Sequence, residues 1–234
     1  MKYRYDLHIH SALSPCAEND MSPVTVVGQA ALGGLHFVAV ADHNATGHVP
    51  LALRAGEEYG VLAVPAVEVQ TNEDIHLLCL FSDLRSLEAF FAEIPVSDRS
   101  NRPDLFGDQL LLDEDDNVIG REDRMLLDSA AVSSDEVFDL AAKHGGVAVP
   151  AHIDRDANSM LRILGDIPEK FRTVELSTRS SAEERDYWSE RKLVIIDSDA
   201  HTLDAVSDSG NAGEIELGEY SVAALIRRIA AGKE

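Results

Sequence analysis

Short apolar runs recur along the chain, separated by stretches in which apolar residues return every three or four positions. The runs YDLHIH, FVAVADHN, VLAVPAVEV, HLLCLF, GVAVPAHI, TVELS and LVIIDSD read as strands, and the stretches between them read as helices. Ser22 followed by Pro23 predicts an N-cap and first helical residue, with Gly33 and Gly34 closing that helix before the next strand. Ser133 and Glu136 have capping-box spacing and open a helix through Lys143 that ends at Gly145-Gly146. Strand, helix, strand units of this kind, with Val- and Ala-rich strands, predict an α/β fold with a largely parallel sheet covered by helices. Seven candidate strands favour a closed barrel over an open sheet.

The interval from Arg99 to Arg124 breaks the rhythm. FGDQLLLDEDDNVIGRED alternates about Asp115-Asp116-Asn117 and predicts an inserted β-hairpin (about 99–124) within one domain spanning 1–234.

Composition narrows the classes. At 234 residues, 45% hydrophobic and 26% charged, the chain suits one globular domain. No run of about 18 apolar residues occurs and the start lacks a secretory apolar core, so a cytoplasmic protein without membrane association is expected. Two cysteines, Cys16 and Cys79, make no disulfide framework. The formal charge of −22 argues against a nucleic-acid partner, since such proteins gain affinity from clustered Lys and Arg, and favours a small phosphorylated substrate.

The chemistry lies at the ends of the apolar runs. Residues two apart in a strand share a face, so His8 and His10 can aim both imidazoles at one point while Leu7 and Ile9 pack the other way. His43 follows FVAVAD, with Asp42 beside it as an acceptor to orient it; Glu68 ends VLAVPAV; His152 ends GVAVPA; Asp199 and His201 follow LVIIDS. His76 stands at the start of HLLCLF, so it joins the others only if that strand is short or reversed. Arg155 and Arg179, each just past a strand, are candidates to grip phosphate. His36, His48 and His144, with Trp188, Phe90 and Phe91, read as structural.

DLHIHS, VADHN, AVEV, the isolated His76, PAHIDR and DSDAH resemble, in order, the motifs of the PHP (polymerase and histidinol phosphatase) superfamily. The resemblance implies a distorted (β/α)7 TIM-like barrel and a metal-dependent phosphoesterase with two or three divalent cations, of zinc, iron or manganese, with magnesium also used. It implies His8, His10, His43, Glu68, His76, His152, Asp199 and His201 as ligands. The first loop departs from the pattern: Pro15 and Cys16 stand where a further Asp or His is common, so Cys16 is a candidate thiolate ligand, with Glu18 and Asp20 as other donors. The implied reaction is attack by a hydroxide held between cations about 3.5 to 4 Å apart, with His201 or a water protonating the leaving group. Glu68 is expected to bridge the cations. Alternatives are an exonuclease-type phosphodiesterase on nucleic acid, an amidohydrolase, for which the bridging strand-end lysine is missing, and a metal-binding regulatory module without turnover.

Overall fold

In strand β1 (Lys2–Ile9) the backbone delivers Leu7, His8, Ile9 and His10 to fully buried positions, so both faces of its C-terminal half are enclosed. The computed structural model describes residues 1–208 and 210–233. Helix α1 (Pro23–Leu32) starts as predicted, with the Ser22 hydroxyl accepting from the Thr25 N–H at 3.1 Å, and ends at Gly33. Strand β2 (Phe37–Val40) then lies parallel to β1. Helix α2 (Val49–Tyr59) leads to β3 (Leu62–Ala63) and β4 (Ala66–Gln70), two strands where one run was expected. The break falls at Pro65, which has no N–H for the ladder.

Strand β5 (His76–Leu80) runs antiparallel to β4, with Gln70 opposite His76. It is followed by helix α3 (Leu84–Phe91) and a short helix, α4 (Pro103–Phe106), that the sequence pattern did not predict. The expected hairpin is present as β6 (Leu110–Leu112) and antiparallel β7 (Val118–Arg121), its turn held by Asp113, whose Oδ1 accepts from Asn117 N–H at 2.9 Å. Helix α5 (Ser134–Lys143) carries the capping box of Ser133 and Glu136. Strand β8 (Val147–Pro150), helix α6 (Met160–Leu164), strand β9 (Thr173–Ser177), helix α7 (Ala182–Ser189) and strand β10 (Leu193–Asp197) continue the alternation. Strand β11 (Gly213–Glu216), also unforeseen, pairs antiparallel with β1, and helix α8 (Val222–Ala231) ends the described chain.

The fold is mixed α/β, with less parallel pairing than the repeated units suggested. Among the described residues the ladders form four sheets, β11-β1-β2-β3, β4-β5-β8, β9-β10 and β6-β7, not one continuous barrel. Single bridges join them: Ile9 with Ala200 and His43 with Glu68, while the Ile153 N–H donates to the Glu175 carbonyl at 3.0 Å. Each junction lies where a strand end turns a polar side chain inward, and regular pairing stops there.

One apolar cluster gathers Leu7, Ala39, Ala66, Leu78, Val149 and Ile195 from six strands, and α8 adds Leu225, Ile226 and Ile229 near Tyr3 and Tyr5. A second lies between β4, β5, β8, β9 and helices α3, α5 and α7, and takes in Phe81, Phe90 and Trp188. Each fully buried large side chain contributes roughly 1.5–3 kcal/mol. Gly146 is required by close approach, since a Cβ there would sit 2.3 Å from the Phe81 ring.

Candidate metal centre

The carboxylate of Glu68, fully buried on β4, is faced by five imidazoles. His43 Nδ1 lies 2.8 Å from it, His76 Nδ1 2.9 Å, His152 Nε2 3.2 Å, His8 Nε2 3.3 Å and His10 Nε2 3.4 Å. Asp199 Oδ1 stands 3.0 Å from His10 Nε2 and 3.6 Å from His8 Nε2. His76 reaches this group because β5 is reversed: its first residue sits at the same end of the sheet as the last residues of β4. Asn44, His152 and Asp199 adopt left-handed backbone with φ of 43°, 31° and 48°, a conformation costly for residues with a Cβ and concentrated here at strand ends.

Six of the converging atoms are buried without a hydrogen bond, His8 Nε2, His10 Nε2, His43 Nδ1, His76 Nδ1, Glu68 Oε2 and Asp199 Oδ1, and His152 Nδ1, on the other edge of its ring, is orphaned as well. So many orphaned buried donors and acceptors within one cluster fit divalent cations, whose bonds replace the missing ones. Three groups of donor atoms, each within 4.8 Å of one another, can be drawn: His8, His10 and Glu68; His43, Glu68 and His76; and His10, Cys16, His43 and His201. Cys16 thus turns its sulfur toward the cluster although the residue as a whole is exposed. Cys79 does not; it is buried in β5.

Hydrogen bonds on the far side of the rings set which nitrogen faces the centre. Glu175, buried in β9, lies 3.0 Å from His8 Nδ1, which leaves His8 Nε2 free to coordinate. His10 Nδ1 lies 3.0 Å from the Ser14 hydroxyl, which donates to Asp42 Oδ1 at 2.7 Å. The Asp42 carboxylate therefore acts on His10 through Ser14, and also binds Ser11; it does not orient the His43 ring as expected. His201 Nδ1 donates to the Asp199 carbonyl at 2.8 Å, leaving Nε2 as its free acceptor. That ring is set to hold a ligand, whereas the sequence offered it equally as an acid. Neither Glu175 nor Ser14 was foreseen; the one signal was an acidic residue inside the apolar strand TVELS.

Charge in the cluster is unbalanced. Burial alone would lower the pKa of His10, but Asp199 and Glu68 raise it to about 9. Burial likewise opposes the proton on His8, and Glu175, Glu68 and Asp199 hold it well above the usual histidine value. Burial lowers His43 to about 4, and burial together with His10 lowers His201 to about 4. Protons on His8 and His10 thus supply the positive charge that the buried carboxylates require. Burial, and then Glu68, Asp199 and Asp42, push the Cys16 thiol up, so a thiolate there depends on a cation.

The cluster opens into a cleft of about 350 Å³ bordered by Cys16, Gln70, Leu127, Arg155, Asn158 and His201. Arg155 pairs with Asp199 at its rim. Arg179 is exposed and does not line the cleft; its contact is a backbone N–H donated to Ser177 Oγ at 3.2 Å. A second cavity of similar size, between Phe138, Lys170 and Arg172, holds no comparable cluster. His36 accepts from the Arg4 N–H at 3.0 Å and His144 pairs with Glu93 at 2.6 Å, both structural roles.

The fold is similar to those of solved proteins that include an endonuclease and a metal-dependent phosphoesterase. No family model matches the chain. Over 86 residues it is 33% identical to a 5'-3' exoribonuclease of Haemophilus influenzae, a match covering 36% of this chain and 30% of the relative. Among solved structures it is similar to the lesion-specific endonuclease PfuEndoQ of Pyrococcus furiosus, with a TM-score of 0.70 and 18% identity. That match takes in 100% of this chain and 57% of the endonuclease, so the chain spans little more than half of it. An Endonuclease Q complex with a 27-mer duplex carrying an abasic lesion matches at a TM-score of 0.68 with 18% identity, over 100% of this chain and 58% of that one. A Bifidobacterium adolescentis protein to which metal-dependent phosphoesterase activity is ascribed matches at 0.59 with 20% identity, over 89% of this chain and 92% of that one.

These likenesses overturn the expectation that nucleic acid is not a partner. Net charge counts the whole chain and says nothing of one cleft, and the Endonuclease Q structure that this chain resembles is a complex with a DNA duplex. Among the described residues no helix is long and apolar enough to cross a membrane.

Proposed function

We propose that the chain is a metal-dependent phosphodiesterase of the PHP type that acts on nucleic acid, built as one domain and working in the cytoplasm. The observation that carries this reading is the Glu68 carboxylate faced by five imidazoles, with orphaned donor atoms, at the floor of an open cleft. The names of its relatives, an exoribonuclease and a lesion-specific endonuclease, favour nucleic acid over a small phosphomonoester. On this reading β1, β2, β4, β5, β8, β9 and β10 form a distorted (β/α)7 barrel with the hairpin of β6 and β7 inserted, and the ligands stand at one mouth.

His8, His10, Glu68 and Asp199 would hold one cation, and His43, His76 and His152 together with Glu68 a second. Cys16 and His201 would hold a third. The softness of this donor set favours zinc, iron or manganese over magnesium. Such ions neutralise phosphate charge and make water a nucleophile at neutral pH. The protein's own part is to position. Glu175 and Ser14 fix two imidazoles, Arg155 at the rim can turn from Asp199 to a phosphate oxygen, and Leu127 covers one side of the cleft. The surrounding acidity then restricts contact with a polyanion to the few phosphates at the cleft.

The test is to strip the protein of metal, restore Mn²⁺ or Zn²⁺, and offer end-labelled single-stranded RNA and DNA oligonucleotides beside p-nitrophenyl phosphate. Metal-dependent shortening of an oligonucleotide is expected. Hydrolysis of the phosphomonoester with intact oligonucleotides would overturn the nucleic-acid reading, and failure to turn over any phosphoester would overturn the enzyme.

A further inference from the structure

The inserted hairpin touches the first loop, residues 11–16, at separate points. The Leu110 N–H donates to the Ala12 carbonyl at 2.8 Å, and Gly107, at φ +99°, packs so closely that a Cβ would lie 2.3 Å from the Pro15 oxygen. Leu110 and Leu112 share an apolar cluster with Ala12, and Leu111 packs against Leu13, Ala45 and Leu126.

From the same strand a line of buried polar groups runs to the centre. The Leu112 N–H donates to His48 Nε2 at 2.9 Å, so the His48 proton is on Nδ1, 2.7 Å from Ser11 Oγ. Ser11 Oγ donates to Asp42 Oδ2 at 2.5 Å, Ser14 Oγ donates to Asp42 Oδ1 at 2.7 Å, and His10 Nδ1 lies 3.0 Å from Ser14 Oγ. His48 is 2% exposed, Asp42 2%, and Ser11 and Ser14 are fully buried, so no water competes for these bonds. The directions are determined from both ends: a backbone donor fixes the His48 tautomer, and a carboxylate that only accepts fixes both hydroxyls. Ser14 Oγ accepts the His43 N–H at 3.2 Å, and its remaining lone pair accepts the His10 Nδ1–H, which presents Nε2 to Asp199 and Glu68.

We propose that the inserted hairpin holds the first loop and, through His48, Ser11, Asp42 and Ser14, fixes the ring of His10, making His48 a positioning residue of the candidate metal centre. The inference rests on reading that centre as a metal site. It goes beyond a packing role for His48, because the line ends on a ring shared by two of the three donor groups, one of which includes Cys16 from the clamped loop.

The experiment is titration of metal-free full-length protein with Zn²⁺ and separately with Mn²⁺, following affinity and stoichiometry, alongside thermal melting of the metal-free chain. His48→Ala and Ser14→Ala are expected to weaken cation binding about 10- to 100-fold. The loss should fall on the cations that use His10, with any remaining cation bound as in the wild type. His48→Gln, whose amide offers an acceptor and a donor at the Nε2 end, should restore part of the affinity by keeping the bond from Leu112. Gly107→Ala, hydrogen-bonded to no member of the line, should produce the same selective loss by pushing the hairpin off Pro15. Ser14→Ala removes one oxygen and keeps the test open should His48→Ala not fold. Unchanged cation affinities in His48→Ala and Ser14→Ala, or a uniform loss that only tracks the fall in melting temperature, would overturn the proposal. Unchanged affinities in Gly107→Ala would overturn the hairpin's part in it. Should the wild type and His10→Ala take up the same substoichiometric metal, the metal centre itself falls and the proposal with it.

Discussion

Glu68 and His76 meet at 2.9 Å from two strands that run in opposite directions. Placed after a parallel β4, a histidine at the start of the next strand would sit at the far end of the sheet. Reversal of β5 brings His76 to the same end as Glu68, which is how a residue at the beginning of an apolar run joins others at the ends of theirs. The oxygen that faces His76 also faces His8 and His152, so Glu68 is the shared element of the cluster.

Glu68→Gln should therefore do more than remove one ligand. It takes away the charge that five imidazoles face, and at least one bound cation per chain is expected to be lost. Metal-dependent phosphodiester hydrolysis should fall about 10³-fold or more, equivalent to about 4 kcal/mol. Elemental analysis of the purified variant and initial rates on an oligonucleotide check both. Wild-type metal content in the variant would show that the carboxylate is not a ligand.

Cation binding should release protons at pH 7. His10, raised to about 9, and His8, also raised, carry protons in the metal-free chain and must lose them to coordinate. Apparent affinity should rise with pH up to about 9 as those protons become easier to displace. The metal-free chain changes in the opposite sense. A histidine whose folded pKa is raised contributes stability that is full below its unfolded value of about 6.5 and is lost as pH rises through the folded one. Calorimetric titration in buffers of different ionisation enthalpy measures the release, and zero release at pH 7 would contradict the assignment.

Glu175→Gln keeps an acceptor near His8 Nδ1 but removes the negative charge. A 10- to 100-fold loss of metal affinity is expected, with Glu175→Ala losing at least as much. Full affinity in both variants would mean that packing alone orients His8.

A control lies outside the residues that line the cleft. Ser133→Ala deletes the capping box of α5 and should cost about 1 kcal/mol in chemical denaturation while leaving metal content and turnover at wild-type levels. A loss of metal in this variant would mean that binding follows global stability, and the site variants would have to be read differently.

Removal of metal by a chelator should lower the melting temperature, because ions that bind only the folded chain add RT ln(1 + [L]/Kd) to its stability, about 2.7 kcal/mol at a hundredfold excess over Kd. Re-addition should restore it. No change in melting would argue that the cluster is held by packing without ions.

The chain's local chemistry was open to reading from its sequence: caps at Ser22 and Ser133, the hairpin turn about Asp115 to Asn117, and the positions of His8, His10, His43, Glu68, His152 and Asp199 just inside or past strand ends. These depend on periodicity and on what a few adjacent residues can hydrogen-bond, so they are written locally. Only the tertiary structure decided the direction of β5, the pairing of β11 with β1 and the breaks between sheets, because these depend on which distant apolar surfaces bury one another. It also decided the partners behind the clustered histidines: Glu175 reaches His8 across 167 positions, and Asp42 serves the ring of His10 through Ser14 instead of that of its own neighbour His43. Net charge was a poor guide to nucleic acid for the same reason, since it sums the whole chain and not the one site that folding gathers from distant residues.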